Sequence, residues 1–291
     1  MSAAGPPQGA NRAPSGGVGV HMSAAGPSQG ANRAPSGGVG AQASAAGPPQ
    51  GANRAPLGGV GAHGSAIEAA APRARPSEDA AAGSVVRALG RTDYETTWRA
   101  MQAFTAARTP ATTDEIWLTE HPPVYTLGLA GRQRHLLRDN GIPAIGVDRG
   151  GQITYHGPGQ LVAYLLFDLR RSQQGVRAMV RAIEAAVVEW LDSLGISAYG
   201  KPAAPGVYTM ATGVEAKIGA LGLKVRNGCT YHGVAVNIAM DLSPFADIDP
   251  CGYPGLAVTQ LADLGVARTV GEAGAELAPI LAAHLAMKTR P

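Results

Sequence analysis

Three near-identical units open this chain, and they set where a fold can begin. Ser2–Gly19 reads SAAGPPQGANRAPSGGVG, Ser23–Gly40 reads SAAGPSQGANRAPSGGVG and Ser44–Gly61 reads SAAGPPQGANRAPLGGVG, a period of 21 residues. Such a period can announce a stacked-repeat solenoid. Composition rejects that here: each unit offers a Val or two and no aromatic, too little apolar surface to offset backbone ordering. The first 80 residues hold 16 of the 40 glycines and 10 of the 22 prolines, and the first of the 14 aromatics is Tyr94. Residues 1–84 are therefore expected to be a disordered Gly/Pro/Ala-rich tail, and 85–291 one folded domain of roughly 200 residues. Gly59, Gly61 and Gly64 match G-x-G-x-x-G. The motif needs a strand before it and a helix after it, so the match is chance.

Lys plus Arg minus Asp plus Glu is 24 − 21 = +3. The tail's five Arg against Glu68, Glu78 and Asp79 carry +2 of this, which leaves +1 for the body. No basic cluster argues for nucleic acid. Two cysteines make no disulfide framework, and a reducing, cytoplasmic compartment is expected. No apolar run approaches the length of about 18 residues that would span a membrane, and the N-terminus lacks the pattern of a secretory signal.

From residue 85 the pattern is that of an α/β (α+β) domain. Tyr94, Trp98, Met101 and Thr105 recur at helical spacing, predicting a helix over 93–107 that closes before Pro110. Glu115–Glu120 and Pro123–Leu129 read as strands, and Gln160–Leu169 (QLVAYLLFDL) as a buried central strand. After Gly175 a stripe of Met179, Ile183, Val187, Trp190 and Leu194 predicts a helix stopped by Gly195. Val207–Met210, Glu215–Val225 and Tyr231–Ala239 read as antiparallel neighbours, and 270–286 as a closing helix. The expected architecture is a mixed, largely antiparallel central sheet flanked by helices, without the even alternation of a Rossmann fold.

Three segments depart from ordinary core or surface. Arg149–Gln160 (RGGQITYHGPGQ) places four glycines and a proline between two apolar strands, a costly arrangement in folding entropy unless backbone must lie close to a ligand. It is not a Walker loop, which would need Gly-Lys-Ser/Thr. Glu215–Lys224 contains Lys217, one of four lysines beside 20 arginines. Arginine cannot release a proton near neutral pH, whereas a desolvated lysine can. Asp249–Gly255 (DPCGYPG) holds Cys251 on a tight Pro/Gly turn, where a thiol is presented rather than packed, and a nearby ammonium would favour its thiolate. Cys229, by contrast, reads as a small buried hydrophobe. Nothing has metal-ligand spacing, and there is no G-x-S-x-G elbow.

Together Arg149–Gln160, Gly206–Tyr208 with Lys217–Gly222 (KIGALG), Asn227–Asn237 (NGCTYHGVAVN) and Asp241–Gly255 (DLSPFADIDPCGYPG) resemble the lipoyl(octanoyl) transferases, the octanoyl-carrier-protein:protein N-octanoyltransferases. The resemblance spans about 90–265 in the same order and excludes the tail. It implies a biotin/lipoate-protein-ligase-like fold and a cysteine–lysine dyad falling on Cys251 and Lys217. It also implies an acyl-chain pocket. One wall would be Arg149, Gly150, Gly151, Gln152, Ile153, Thr154, Tyr155 and His156. The others would be Ala220, Leu221 and Gly222, and Gly233, Val234 and Ala235. After the lysine stand Ile218 and Gly219, where the family often has a polar residue or cysteine.

The implied reaction moves an octanoyl or lipoyl group from acyl carrier protein to a lysine of a lipoyl acceptor through a cysteine thioester. The acceptors are the lipoyl domains of 2-oxoacid dehydrogenase complexes and the glycine-cleavage H protein. No cofactor or metal is expected, because the acyl group arrives on the carrier's phosphopantetheine. Lys217, held neutral by burial or by passing its proton on, would help form the Cys251 thiolate. Backbone N–H groups near Cys251 or over Lys217–Ala220 are candidate oxyanion donors. His156 and His232 would either orient the carbonyl or bond within the core. Arg132, Arg134, Arg149, Arg170, Arg171, Lys201 and Arg226 offer charge for acidic partners, with Arg149 ranked first for its place beside the pocket loop. Two alternatives share the fold: an ATP-dependent lipoate–protein ligase and an amidotransferase moving octanoate between lipoyl-type proteins.

Overall fold

The computed structural model describes residues 83–172 and 175–286, so the expectation of a disordered repeat tail falls outside the described residues. Along the chain run β1 (Ser84–Arg91), α1 (Tyr94–Ala107), β2 (Asp114–Glu120), β3 (Val124–Leu127), β4 (Ala144–Gly146), β5 (Ile153–His156) and β6 (Gln160–Leu166). They are followed by α2 (Leu169–Ser172), α3 (Val176–Ser193), β7 (Ala198–Gly200), β8 (Val207–Ala211), β9 (Val214–Arg226), β10 (Cys229–Asn237) and α4 (Val270–Ala286). Seven strands form one sheet in the order β1-β2-β6-β10-β9-β8-β7, and β4-β3-β5 form a second. Among the described residues, β1–β2 and β3–β4 are the strand pairs that run parallel. The mixed, mainly antiparallel sheet is the one the sequence predicts.

All seven positions of β6 are buried because helices cover both of its faces. Leu161, Ala163 and Leu165 join Ile183 and Val187 of α3 and Leu277 and Leu281 of α4 in one cluster. The alternate residues Val162, Tyr164 and Leu166 pack instead with Met101, Trp117 and Tyr231, against α1. The helices begin where their sequences allow. Asp93 caps α1 by accepting from the Thr96 N–H at 2.8 Å. Thr269 and Glu272 close a reciprocal capping box at the start of α4, at 2.8 and 3.2 Å.

Two hairpin turns aim the long strands at the site. Thr212-Gly213 and Asn227-Gly228 all have φ between 49° and 81°, the left-handed pair that a tight two-residue hairpin demands. They join β8 to β9 and β9 to β10, bringing Lys217 opposite Tyr208 and Ala235 opposite Ala220.

Four strands lack an expectation in the sequence. The edge strand β1 is mostly half-exposed and carries Arg87, paired with Glu115 at 2.6 Å, so it shows no clean alternation. β4 and β7 have three residues each. β5 lies inside the glycine-rich Arg149–Gln160 segment, which is in part a strand paired to β3 rather than a loop throughout.

Candidate active site

A cavity of about 400 Å³ opens where the glycine-rich segment meets β9 and β10, within the range of small-molecule sites. Arg149–Thr154 and His156 form one wall, Ala220–Leu223 a second, and His232–Ala235 a third. Cys251 also lines it. Among the predicted site residues Lys217 does not line it, and neither does Tyr155, whose ring packs against Tyr125 and Phe245 at centroid distances of 5.6 and 5.4 Å. The cause is strand alternation, which turns its neighbours Thr154 and His156 the other way.

Cys251 sits in the 3-10 turn Pro250–Gly252 with φ 56°, a left-handed backbone uncommon outside glycine and asparagine. The turn is tied down on both sides. Asp249 accepts from the Gly252 N–H at 2.8 Å through its carbonyl, and its carboxylate lies 3.2 Å from Nδ1 of His135. Gly252 also has positive φ, and a Cβ there would fall 2.4 Å from Nε2 of Gln152. The Gln152 amide therefore lies directly against the cysteine turn, and its Oε1 is buried without a hydrogen-bond partner among the described residues.

Lys217 is 3% exposed. Its main chain is fixed by β8 and by bonds to Ala257 and Thr259, at 2.9 and 3.0 Å. Its Nζ donates to Cys251 Sγ at 3.2 Å and to the Pro205 carbonyl at 3.1 Å, and lies 5.0 Å from the Tyr208 ring centre. Gly206, at φ +147°, admits this arrangement, since a Cβ would come within 2.7 Å of Lys217 Cε. Burial pulls the ammonium down, but the charge of Cys251 and the contacts of Tyr208 outweigh it and raise Lys217 above its ordinary value. Of the two routes to a neutral Lys217, burial alone is thus outweighed, and beside the sulfur the ammonium is favoured.

The far wall is a buried polar network. His156 Nδ1 lies 2.7 Å from Gln160 Oε1, while the Gln160 amide nitrogen donates to Tyr155 O and Asn237 Oδ1 at 3.2 and 2.9 Å. Gln160 Oε1 therefore accepts, and the His156 proton sits on Nδ1. Burial, reinforced by the neighbouring His121, pushes His156 down to about 3. His232 has φ 62° and bonds Asp148 at 2.9 Å through Nε2. Burial lowers His232 even though Asp148 pulls the other way. Asp148 is pushed up by burial, yet donors from His232, Tyr231 and Trp98 prevail and hold it well below the usual carboxylate range. Both histidines are thus bonded into the core and line the cavity at once.

Arg149 is not a docking residue. Its guanidinium is buried and donates to Thr126 O, Thr126 Oγ1 and Gly150 O at 2.7, 2.8 and 3.0 Å, so it serves the pocket wall. Arg170, Arg171 and Lys201 are engaged with Asp168, Asp114 and Glu215. Several suggested oxyanion donors are also occupied: the Gly252, Tyr253 and Lys217 N–H groups bond Asp249, Pro250 and Ala257 carbonyls. Cys229 is buried, as expected. The lining residues that sequence reasoning missed include Tyr94, Val162, Tyr164, Val180 and Pro205. All but Pro205 carry the apolar signal of ordinary core, which nothing local distinguishes from a pocket.

Comparison with known proteins places this geometry. The model of the lipoyl protein ligase A/B catalytic domain matches residues 93–278. The octanoyltransferase of Dechloromonas aromatica (strain RCB) is 57% identical over 204 residues, which cover 70% of this chain and 98% of that protein. The chain belongs to the octanoyltransferase family. It is an acyltransferase of protein lipoylation, as the resemblance in its motifs implied. The fold is shared more widely. A lipoate-protein ligase A solved with ATP superposes with a TM-score of 0.58 at 17% identity, covering 70% of this chain and 86% of that one. The bi-partite lipoate protein ligase of Thermoplasma acidophilum gives 0.56 at 19%, covering 70% and 84%. At that identity the likeness speaks for the fold alone. No helix among the described residues is long and apolar enough to cross a membrane.

Proposed function

We propose that this octanoyltransferase works through a thioester on Cys251, taking octanoyl groups from acyl carrier protein and delivering them to a lysine of lipoyl domains or of the glycine-cleavage H protein. The observation that carries the reading is the 3.2 Å contact between Lys217 Nζ and Cys251 Sγ at the wall of the cavity. A buried ammonium at hydrogen-bond distance stabilises a thiolate, the form of cysteine that attacks.

In the first half-reaction the thiolate attacks the octanoyl thioester. The pantetheine sulfur leaves and takes the proton of Lys217, so Cys251 holds the acyl group and Lys217 becomes a neutral amine. In the second, the acceptor's ε-amine attacks the Cys251 thioester and gives its proton to Lys217, while the sulfur leaves as thiolate. The resting pair is restored. Thioester exchange is nearly balanced in energy, so the first step needs no ATP, and amide formation drives the second. Arg149–Thr154, Ala220–Gly222 and Gly233–Ala235 would hold the acyl chain. No resident cofactor is required, since the carrier's phosphopantetheine delivers the group. Reduced, unpaired Cys251 and Cys229 fit work in the cytoplasm.

The test is transfer to a lipoyl domain from octanoyl-carrier protein in the absence of ATP. Transfer by the wild type and its loss in Cys251→Ala support the reading. Activity in Cys251→Ala, or transfer only with ATP and free octanoate, would replace it with the ligase alternative on the same fold.

A further inference from the structure

A buried acid unused by this chemistry lies on α3. The other buried side chains of α3 are Met179, Ile183, Ala186, Val187, Trp190 and Leu191, all apolar; the exception is Glu184, 8% exposed. Its Oε1 accepts from the Gly206 N–H at 2.8 Å. The carbonyl of that same Pro205–Gly206 peptide unit accepts from Lys217 Nζ at 3.1 Å. A single peptide is therefore held with its N–H on a buried carboxylate and its C=O on a buried ammonium. The peptide dipole points its positive end at the anion and its negative end at the cation, so each bond strengthens the other.

We infer that Glu184 is a positioning residue for the reaction, the third charge of a line running Glu184, Pro205–Gly206 peptide, Lys217, Cys251. It sets the peptide that orients Lys217 Nζ toward the sulfur, and its charge favours the ammonium form of Lys217 between turnovers. The inference rests on the reading of Lys217 and Cys251 as the reacting pair. Burial raises the Glu184 carboxyl, although the Gly206 N–H and the charges of Lys217 and Arg181 pull it back. A buried ionised carboxylate weakens the fold relative to an apolar side chain of similar size, and here it sits in a layer otherwise built for stability.

Glu184→Gln separates the role from structure, since the amide oxygen still accepts from Gly206 but carries no charge. The readout is single-turnover acylation by octanoyl-carrier protein across pH. The groups facing Lys217 are Cys251 and Tyr208, with Glu184 through the peptide; those facing Glu184 are Lys217 and Arg181. Glu184→Gln is expected to fold normally, keep KM for the donor within about twofold, lower the acylation rate about tenfold and move the alkaline limb down by about one pH unit. Glu184→Ala, which also frees the peptide, is expected to be slower still. A Glu184→Gln enzyme with the wild-type rate and alkaline limb would overturn the inference. If Cys251→Ala is inert while Glu184→Gln is normal, only this inference fails; if Cys251→Ala still transfers, the underlying pair fails with it.

Discussion

The two faces of the seven-stranded sheet are built from different chemistry. Under α3 and α4 the buried set is almost wholly apolar, with Ile116, Leu161, Leu165, Ile183, Val187 and Leu281 at its centre. On the α1 side Met101, Trp117, Tyr164 and Tyr231 adjoin the buried His121, His156 and His232, with Asp148 bonding the last of these. The first layer is where burial stabilises, by roughly 25 cal/mol for each Å² of apolar surface removed from water. The second keeps polar groups out of water only by satisfying each with a partner. The cavity lies against it, bordered by Tyr164, His156 and His232. The same separation appears in backbone strain. Among the described residues the non-glycine positions with positive φ are two hairpin residues, Thr212 and Asn227, and two that line the cavity, His232 and Cys251. Strain away from the two hairpins collects at the site.

This contrast breaks most sharply at the dyad. Lys217→Arg keeps a cation beside the sulfur but cannot pass a proton, so acyl transfer by the folded enzyme should fall by on the order of 10²- to 10³-fold, far more than the fraction unfolded by tighter packing accounts for. Steady-state kinetics beside a urea titration would check both. The opposite result is expected in the apolar layer. Leu281→Ala should cost about 2–5 kcal/mol in the urea titration, while the activity of each folded molecule stays at the wild-type level. A variant there that lost activity without losing stability would erase the distinction.

A smaller effect is expected at Gly252, where a methyl group would displace the Gln152 amide from the cysteine turn and strain a φ of +74°. Gly252→Ala should slow acylation about tenfold and cost about 1 kcal/mol of stability. The mildest test is pH. His156 is held down to about 3 from its ordinary 6.5, so the unfolded chain binds its proton first. The stability it contributes is full above about 6.5 and is lost as pH falls toward about 3. Asp148, held low, contributes stability that is present above the ordinary carboxylate range and lost only in stronger acid. Denaturation midpoints measured from pH 7 downward (about one unit apart) should fall in the histidine range first, and His156→Gln should flatten that part of the curve.

How legible each layer is in the sequence follows from the same chemistry. The stripe from Met179 to Leu191 and the run of β6 announce the apolar layer because helical and strand periods repeat over many residues. The short β4, β5 and β7 repeat nothing, and β1 is an exposed edge. At the site, Cys251 and Lys217 stand out by oddity: a thiol on a Pro/Gly turn, and a lysine in a chain that mostly uses arginine. Their 34-residue separation hides the contact itself. The burial of Arg149 could not be read locally, since its partner Thr126 lies 23 residues away on β3. Glu184 was invisible for the converse reason: on a helix an acid among apolar residues looks like the edge of a solvated face.

The central claim is that the acyl group passes through Cys251, and intact-mass spectrometry tests it most directly. The protein is mixed with octanoyl-carrier protein, without ATP and without acceptor. A gain of one octanoyl group, about 126 Da, that is absent in Cys251→Ala and slowed in Lys217→Ala is the predicted result. An unmodified wild-type mass, in a preparation that still transfers octanoate when an acceptor is added, would contradict it.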